Sequence, residues 1–228
     1  MEVFSFFRLL HIIGGVTALL IFWIPMVTKK GGTIHKRIGW VYVWAMGIVS
    51  VSAFYMGTYR VFFDESADPE RISFSLFLIF IAILSGASAW YGIRVLRFKK
   101  REGAHRHLVD LFVSVLLIIS GIGIGVYGIR IGSPLITYFP ILGIFLGSIQ
   151  LYYWLRKSFK KMHWYFEHLG GMIACCISTV TAFTVFGAPR LLDIQSTNLF
   201  LWILPSLILV PVMIGFSQYY RRKFHGKG

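Results

Sequence analysis

Cysteine is almost missing from this chain: Cys175 and Cys176 are the only two in 228 residues, adjacent and in the middle of an apolar stretch. Neither can staple an outer loop, so a disulfide framework is excluded. Charge is scarce too. Only 14% of residues are charged against 57% hydrophobic, whereas an ordinary soluble domain carries about a quarter charged, which excludes a soluble globular fold. Acids are scarcest, with nine Asp and Glu against 23 Lys and Arg and a formal charge of +14. In a soluble protein that excess would suggest nucleic acid. Here the basic residues sit at the ends of apolar stretches, where anionic lipid headgroups attract each by about 1 kcal/mol. Nucleic acid drops out as a partner, and the lipid bilayer with its anionic headgroups replaces it.

What the chain does have is seven apolar stretches of about 20 residues, near 5–27, 38–58, 73–95, 108–129, 134–155, 164–187 and 198–219. Hydrocarbon leaves every backbone polar group to be satisfied within its own segment, so each stretch is expected to be a helix. The fold class is therefore all-α: a polytopic transmembrane bundle of seven helices, a single domain over residues 1–228 with no linker. The first stretch opens Met1-Glu2 without a basic segment and is longer than a signal-peptide core, so it is expected to remain as a helix.

The basic residues alternate between the two sides. Lys29, Lys30, Lys36, Arg37, Arg94, Arg97, Lys99, Lys100, Arg101, Arg106, Arg156, Lys157, Lys160, Lys161, Arg221, Arg222, Lys223 and Lys227 follow odd-numbered spans, 18 of the 23. Arg8, Arg60, Arg71, Arg130 and Arg190 share the other side with six of the nine acids, Glu2, Asp64, Glu65, Asp68, Glu70 and Asp193. By the positive-inside rule the N-terminus is expected outside and the C-terminus in the cytosol, in the bacterial cytoplasmic (inner) membrane.

Small residues recur at helical spacing, as in Gly121, Gly125 and Gly128 of span four and Gly171, Cys175 and Thr179 of span six. Such stripes let helices approach closely in lipid. Glycine also makes room for a flat macrocycle, so helix packing and a cofactor cradle both stand as readings.

An ionic side chain at mid-membrane costs about 2.5–3.5 kcal/mol or more, so those near spans invite a functional question. His35, His105, His107, Asp110, His163, Glu167 and His168 all fall within two turns of the cytosolic boundary, at the starts of spans two, four and six. His163 shares a face with Glu167, and His107 with Asp110. His168 points about 140° away from His163, toward Gly171 and Cys175, so these two histidines do not share a metal on a regular helix. The expected inner constellation takes His168, His35, and His107 with Asp110, a set suited to zinc, iron or copper with the carboxylate as ligand or orienting group. His11 lies roughly 15–20 Å away toward the outer end of span one, and is assigned to an outer site with Arg8. His105, His107, His163 and His225 sit in basic surroundings, and for His105 and His225 an ordinary boundary role is the expected one.

Three segments carry a resemblance: His11-Ile-Ile-Gly-Gly; Lys30-Gly-Gly-Thr-Ile-His35-Lys-Arg-Ile-Gly39-Trp-Val-Tyr42; and His163-Trp-Tyr-Phe-Glu-His168-Leu-Gly-Gly-Met172 with Thr181-Ala-Phe183. Together they resemble a family of bacterial multi-pass membrane proteins of unknown function. The resemblance implies that His11, His35 and His168 are the functional histidines, but it brings no activity. His35-Lys-Arg-Ile-Gly39 is also similar to the His-Arg/Lys-x-x-Gly turn of membrane b-type cytochromes and ferric-reductase-like domains.

Three functional readings follow. In the first, inner histidines ligate haem b or a transition metal, a single haem lying between His168 and His35 or His107, with electrons exchanged with a quinone. A two-haem wire across the membrane needs two histidines near each face, and the outer half offers only His11. In the second, the chain is a membrane zinc hydrolase, although His-x-x-x-His and His-Glu-x-x-His are both missing and His163 with Glu167 is the nearest substitute. In the third, it is a cofactor-free transporter, receptor or structural partner whose histidines are proton-sensitive packing groups. His11-Gly14-Gly15 and His168-Gly170-Gly171, near the starts of oppositely oriented helices, hint at the inverted symmetry of transporters.

Overall fold

A computed structural model describes residues 2–157, 162–192 and 199–225. The side chain of His225 and the basic residues Lys160, Lys161 and Lys227 lie outside the described residues. Among the described residues there is no strand, and seven helices are long and apolar enough to cross a membrane. They are α1 (Glu2–Val27), α2 (Thr33–Phe62), α3 (Pro69–Phe98), α4 (Leu108–Arg130), α5 (Pro134–Leu155), α6 (His163–Gly187) and α7 (Phe200–Phe224). Large apolar side chains face outward along them, as Val3, Phe6, Leu9, Ile13, Val16 and Leu20 do on α1. An apolar exterior over seven such helices is the architecture of a multi-pass membrane protein.

The helices overrun the apolar stretches by up to a turn or so. α2 begins at Thr33, not near 38, and so takes in His35, Lys36 and Arg37. The unpaired N–H groups of a first turn are satisfied more readily in the wet interface than in hydrocarbon. α3 starts on Pro69, whose missing N–H suits a first helical position. The Asp68 carboxylate accepts the Arg71 N–H at 2.7 Å as a cap. In the connection before it, the Ser66 hydroxyl and N–H donate to Asp64 and hold that carboxyl below the usual carboxylate range.

The chain groups into two compact units, Met1–Ala87 with His105–Arg156, and Ser88–Ala104 with Lys157–Gly228. In the first, a Cβ on Gly14 would lie 3.1 Å from the Ala45 carbonyl oxygen, so α1 meets α2 at backbone distance. The Ser50 hydroxyl donates to the Ala82 carbonyl at 2.6 Å and ties α2 to α3. α4 and α5 form a hairpin in which Gly121, Gly128, Gly143 and Gly147 face the opposite helix. On α4 the buried residues are Asp110, Ser114, Leu117, Gly121 and Gly128, the four-to-three spacing expected of one face.

The second unit holds the C-terminal end of α3 with α6 and α7. Gly92 and Gly171 face each other: a Cβ on Gly171 would lie 2.9 Å from the Gly92 Cα. The stripe read from span six is present, with Gly171, Cys175 and Thr179 buried and both cysteines free. Tyr165 packs against Tyr220 and Phe224, and Phe186 meets Trp202 edge-on, which closes α6 on α7. Near its C-terminal end α6 widens into a π-helical turn at Phe183–Gly187.

Candidate functional site

The Gly92–Gly171 approach explains where His168 goes. One turn before Gly171, its Nδ1–H donates to the Gly92 carbonyl oxygen at 2.7 Å. That carbonyl lies in the last turn of the α-helix Pro69–Arg94, just before the chain tightens into the 3₁₀ turn Val95–Phe98. A carbonyl only accepts, so Nδ1 of this ring carries a proton. Beside it the Tyr91 hydroxyl donates to Glu167 Oε2 at 2.5 Å. His163, one turn before Glu167, is hydrogen-bonded to the Lys99 backbone, and the Lys99 ammonium lies 4.5 Å from the Trp164 ring centre.

His35 repeats the arrangement in the first unit. Its Nδ1–H donates to the Pro25 carbonyl at 3.0 Å, and the Lys30 ammonium donates to the same oxygen at 2.9 Å and to the Met26 carbonyl. The acceptors belong to the short helix Ile24–Val27 that completes α1, so these two donors cap its last carbonyls. Burial against them pushes the Lys30 amine below its ordinary value. His11 follows the same rule on α2, with Nδ1 3.2 Å from the Val49 carbonyl oxygen and 3.1 Å from Ser52 Oγ. Arg8 is exposed.

Asp110 is the most deeply buried carboxylate of the described residues, its side chain fully covered. Its close partner is His105, whose Nε2 lies 2.8 Å from Oδ2, while His107 is 3.7 Å away with half its side chain exposed. The sequence reading gave His105 an ordinary boundary role and paired Asp110 with His107 instead. His105 precedes α4 in a non-helical connection, where no helical angle applies, and reaches Asp110 because its N–H donates to the Trp154 carbonyl at 2.7 Å. The His105 ring also rests 4.7 Å from the Trp154 ring. A histidine three residues before a helix, with an Asp in the first turn, was the one signal available.

Of the expected inner constellation, His35, His107 and Asp110 belong to the first unit and His168 to the second. Among the described residues, no three His, Cys, Asp or Glu side chains are grouped closely enough to hold a metal ion. A polar residue that the sequence reading did not single out, Gln150, is 4% exposed on the C-terminal part of α5, and its Oε1 has no hydrogen-bond partner. No protein-family model, curated protein or solved structure matches the chain.

Proposed function

We propose that this chain is a multi-pass protein of the bacterial cytoplasmic membrane, its N-terminus outside and C-terminus cytosolic, which uses anchored histidines as nitrogen ligands for haem b or a transition metal and exchanges electrons with a quinone. One observation carries the ligand reading: His35 and His168 each donate Nδ1–H to a backbone carbonyl of another element. A ligating imidazole ordinarily has this arrangement, because the second hydrogen bond fixes the tautomer, aims Nε2 and raises its basicity. His11 shares it and is assigned to the outer half. Bound haem or metal would supply one-electron transfer; the chain's own part is to hold the ring planes and keep the imidazoles neutral.

The test is an absorption spectrum and metal analysis of the full chain purified in mild detergent. A Soret band or stoichiometric metal is expected, lost in His35→Ala and in His168→Ala and kept in His225→Ala. Wild-type protein with neither would sink the ligand reading.

The orientation rests on the partition of 18 basic residues against five. Single cysteines at Ser66 and Gly103, in a background free of Cys175 and Cys176, should react with an impermeant maleimide in intact cells only at Ser66. Equal labelling at both would overturn it.

A second reading, a cofactor-free transporter or receptor, is favoured by one observation, the buried Asp110–His105 pair. Membrane-embedded ionisable pairs of this kind serve proton and ion pathways. A zinc hydrolase ranks below both, since catalytic zinc takes three converging protein ligands.

A further inference from the structure

His11 stands well inside α1, about 14 Å from Glu2 and about 24 Å from Val27 at 1.5 Å per residue. Leu9, Ile12, Ile13 and Val16 are exposed around it, so α1 meets lipid at this level. The bonds to α2 settle where the ring proton is. The Ser52 hydroxyl has a single proton, which goes back to the Ile48 carbonyl at 2.6 Å or the Val49 carbonyl at 3.0 Å. Nδ1, 3.1 Å from Ser52 Oγ and 3.2 Å from the Val49 carbonyl oxygen, therefore faces acceptors and carries a proton itself. No carboxylate is bonded to the ring among the described residues, and a cation at this depth is costly. The ring is neutral, with its lone pair on Nε2.

That nitrogen is an acceptor with nothing to accept. Among the described residues Nε2 makes no hydrogen bond. It is not one of the unpartnered polar atoms sealed inside the protein either, so it opens at the surface of the α1–α2 pair. Lipid chains offer no donor, and an acceptor left unmet in hydrocarbon is costly. There is room beside the ring. One turn on, Gly15 presents bare backbone, and a Cβ there would touch only Val49 Cγ2, at 4.0 Å. One turn back, Phe7 stacks on Tyr55 with ring centres 4.1 Å apart, a flat apolar surface on the other flank.

We propose that His11 binds the headgroup of a lipid-soluble hydroquinone, whose hydroxyl donates to Nε2 while its ring takes the space over Gly15. The missing donor must come from the lipid phase, which requires an apolar molecule carrying a hydroxyl, and an aromatic headgroup matches the Phe7–Tyr55 flank better than a flexible chain does. The oxidised quinone has carbonyl oxygens in place of the hydroxyls and cannot donate to Nε2, so the site selects the reduced form. It deepens the quinone part of the proposed function and rests on that part alone, since it uses neither His35 nor His168.

Retention of decyl-ubiquinol and decyl-ubiquinone on the immobilised full chain, measured without oxygen in mild detergent, tests it. The wild type should bind the quinol at least about tenfold more tightly than the quinone, as one hydrogen bond in a dry site allows. His11→Leu should bind the two forms equally. Gly15→Leu keeps the acceptor and adds bulk where nothing is crowded, so it should fold and lose at least about tenfold in quinol affinity. Equal binding of the two forms by the wild type would overturn the site, and so would a quinol preference that survives both substitutions or is abolished by an equal concentration of decanol. The proposed function fails separately. A Soret band lost in His168→Ala upholds the ligand reading whatever His11 does, and quinol retained by both variants would keep the quinone partner while removing it from His11.

Discussion

Gly171→Leu should prevent accumulation of folded protein, the largest effect expected of any single substitution in the second unit. The reason is the backbone on the far side of the contact. A Cβ at this position would sit 2.9 Å from the Gly92 Cα and 3.0 Å from its nitrogen, and neither atom can turn aside as a flexible side chain would. Leucine must therefore push α6 away from the end of α3. That movement breaks the His168 bond to the Gly92 carbonyl and the Tyr91 bond to Glu167, both of which depend on the same approach. Overpacking alone costs about 3 kcal/mol or more, and each buried polar group left unmet adds about 1–3 kcal/mol. Against a total stability of about 5–15 kcal/mol, the sum removes most or all of it. Ile177→Leu, on another face of α6, should be tolerated. Comparing the monodisperse yield of the two variants in detergent checks the argument; similar yields would refute it.

Gly128→Ala is the second substitution with a large expected effect, and it is the more stringent because only a methyl group is added. The new Cβ would fall 2.5 Å from the Ile136 carbonyl carbon and from the Thr137 nitrogen, in the first turn of α5. Real Cβ atoms do not approach backbone so closely, so the hairpin must open at its turn. A loss of about 3 kcal/mol follows, seen as a melting temperature lower by about 6–12 °C. Gly123→Ala is the control. Nothing lies within 4 Å of its would-be Cβ, and alanine is the better helix former, so stability should be unchanged or slightly higher. If Gly128→Ala melts with the wild type, the close approach of these helices is wrong.

The number and approximate limits of the helices were legible because they follow from local quantities. About 20 apolar residues match the hydrocarbon thickness, and the backbone can satisfy itself only by coiling. The glycine stripe of span four was legible for the same reason: Gly121 and Gly128 are buried as helical spacing requires. So was the face of span six with Gly171, Cys175 and Thr179. Spacing identifies a face without naming its partner. Nothing in the sequence pointed to Gly92 as the residue opposite Gly171, since the two are far apart in the chain and glycine carries no side chain to match.

The polar contacts were least legible. His11, His35 and His168 were singled out as residues, but their acceptors are the carbonyls of Val49, Pro25 and Gly92. Every residue has a carbonyl, so composition and motif hold no trace of which one will be used. The Asp110 partnership shows the same limit: helical spacing favoured His107, three residues away, yet His105 makes the 2.8 Å contact. Its connection folds back onto Trp154, and a non-helical backbone obeys no periodicity.

The sequence by itself determined an all-helical chain with seven apolar spans and the faces on which their small residues lie, because each is set within a single helix by bilayer thickness and a 3.6-residue turn. Packing between helices decides which carbonyl each histidine meets, that Glu167 takes Tyr91, and that Asp110 takes His105. Those pairings depend on the register between helices, which is fixed where glycine lets two backbones touch and is a property of neither helix alone.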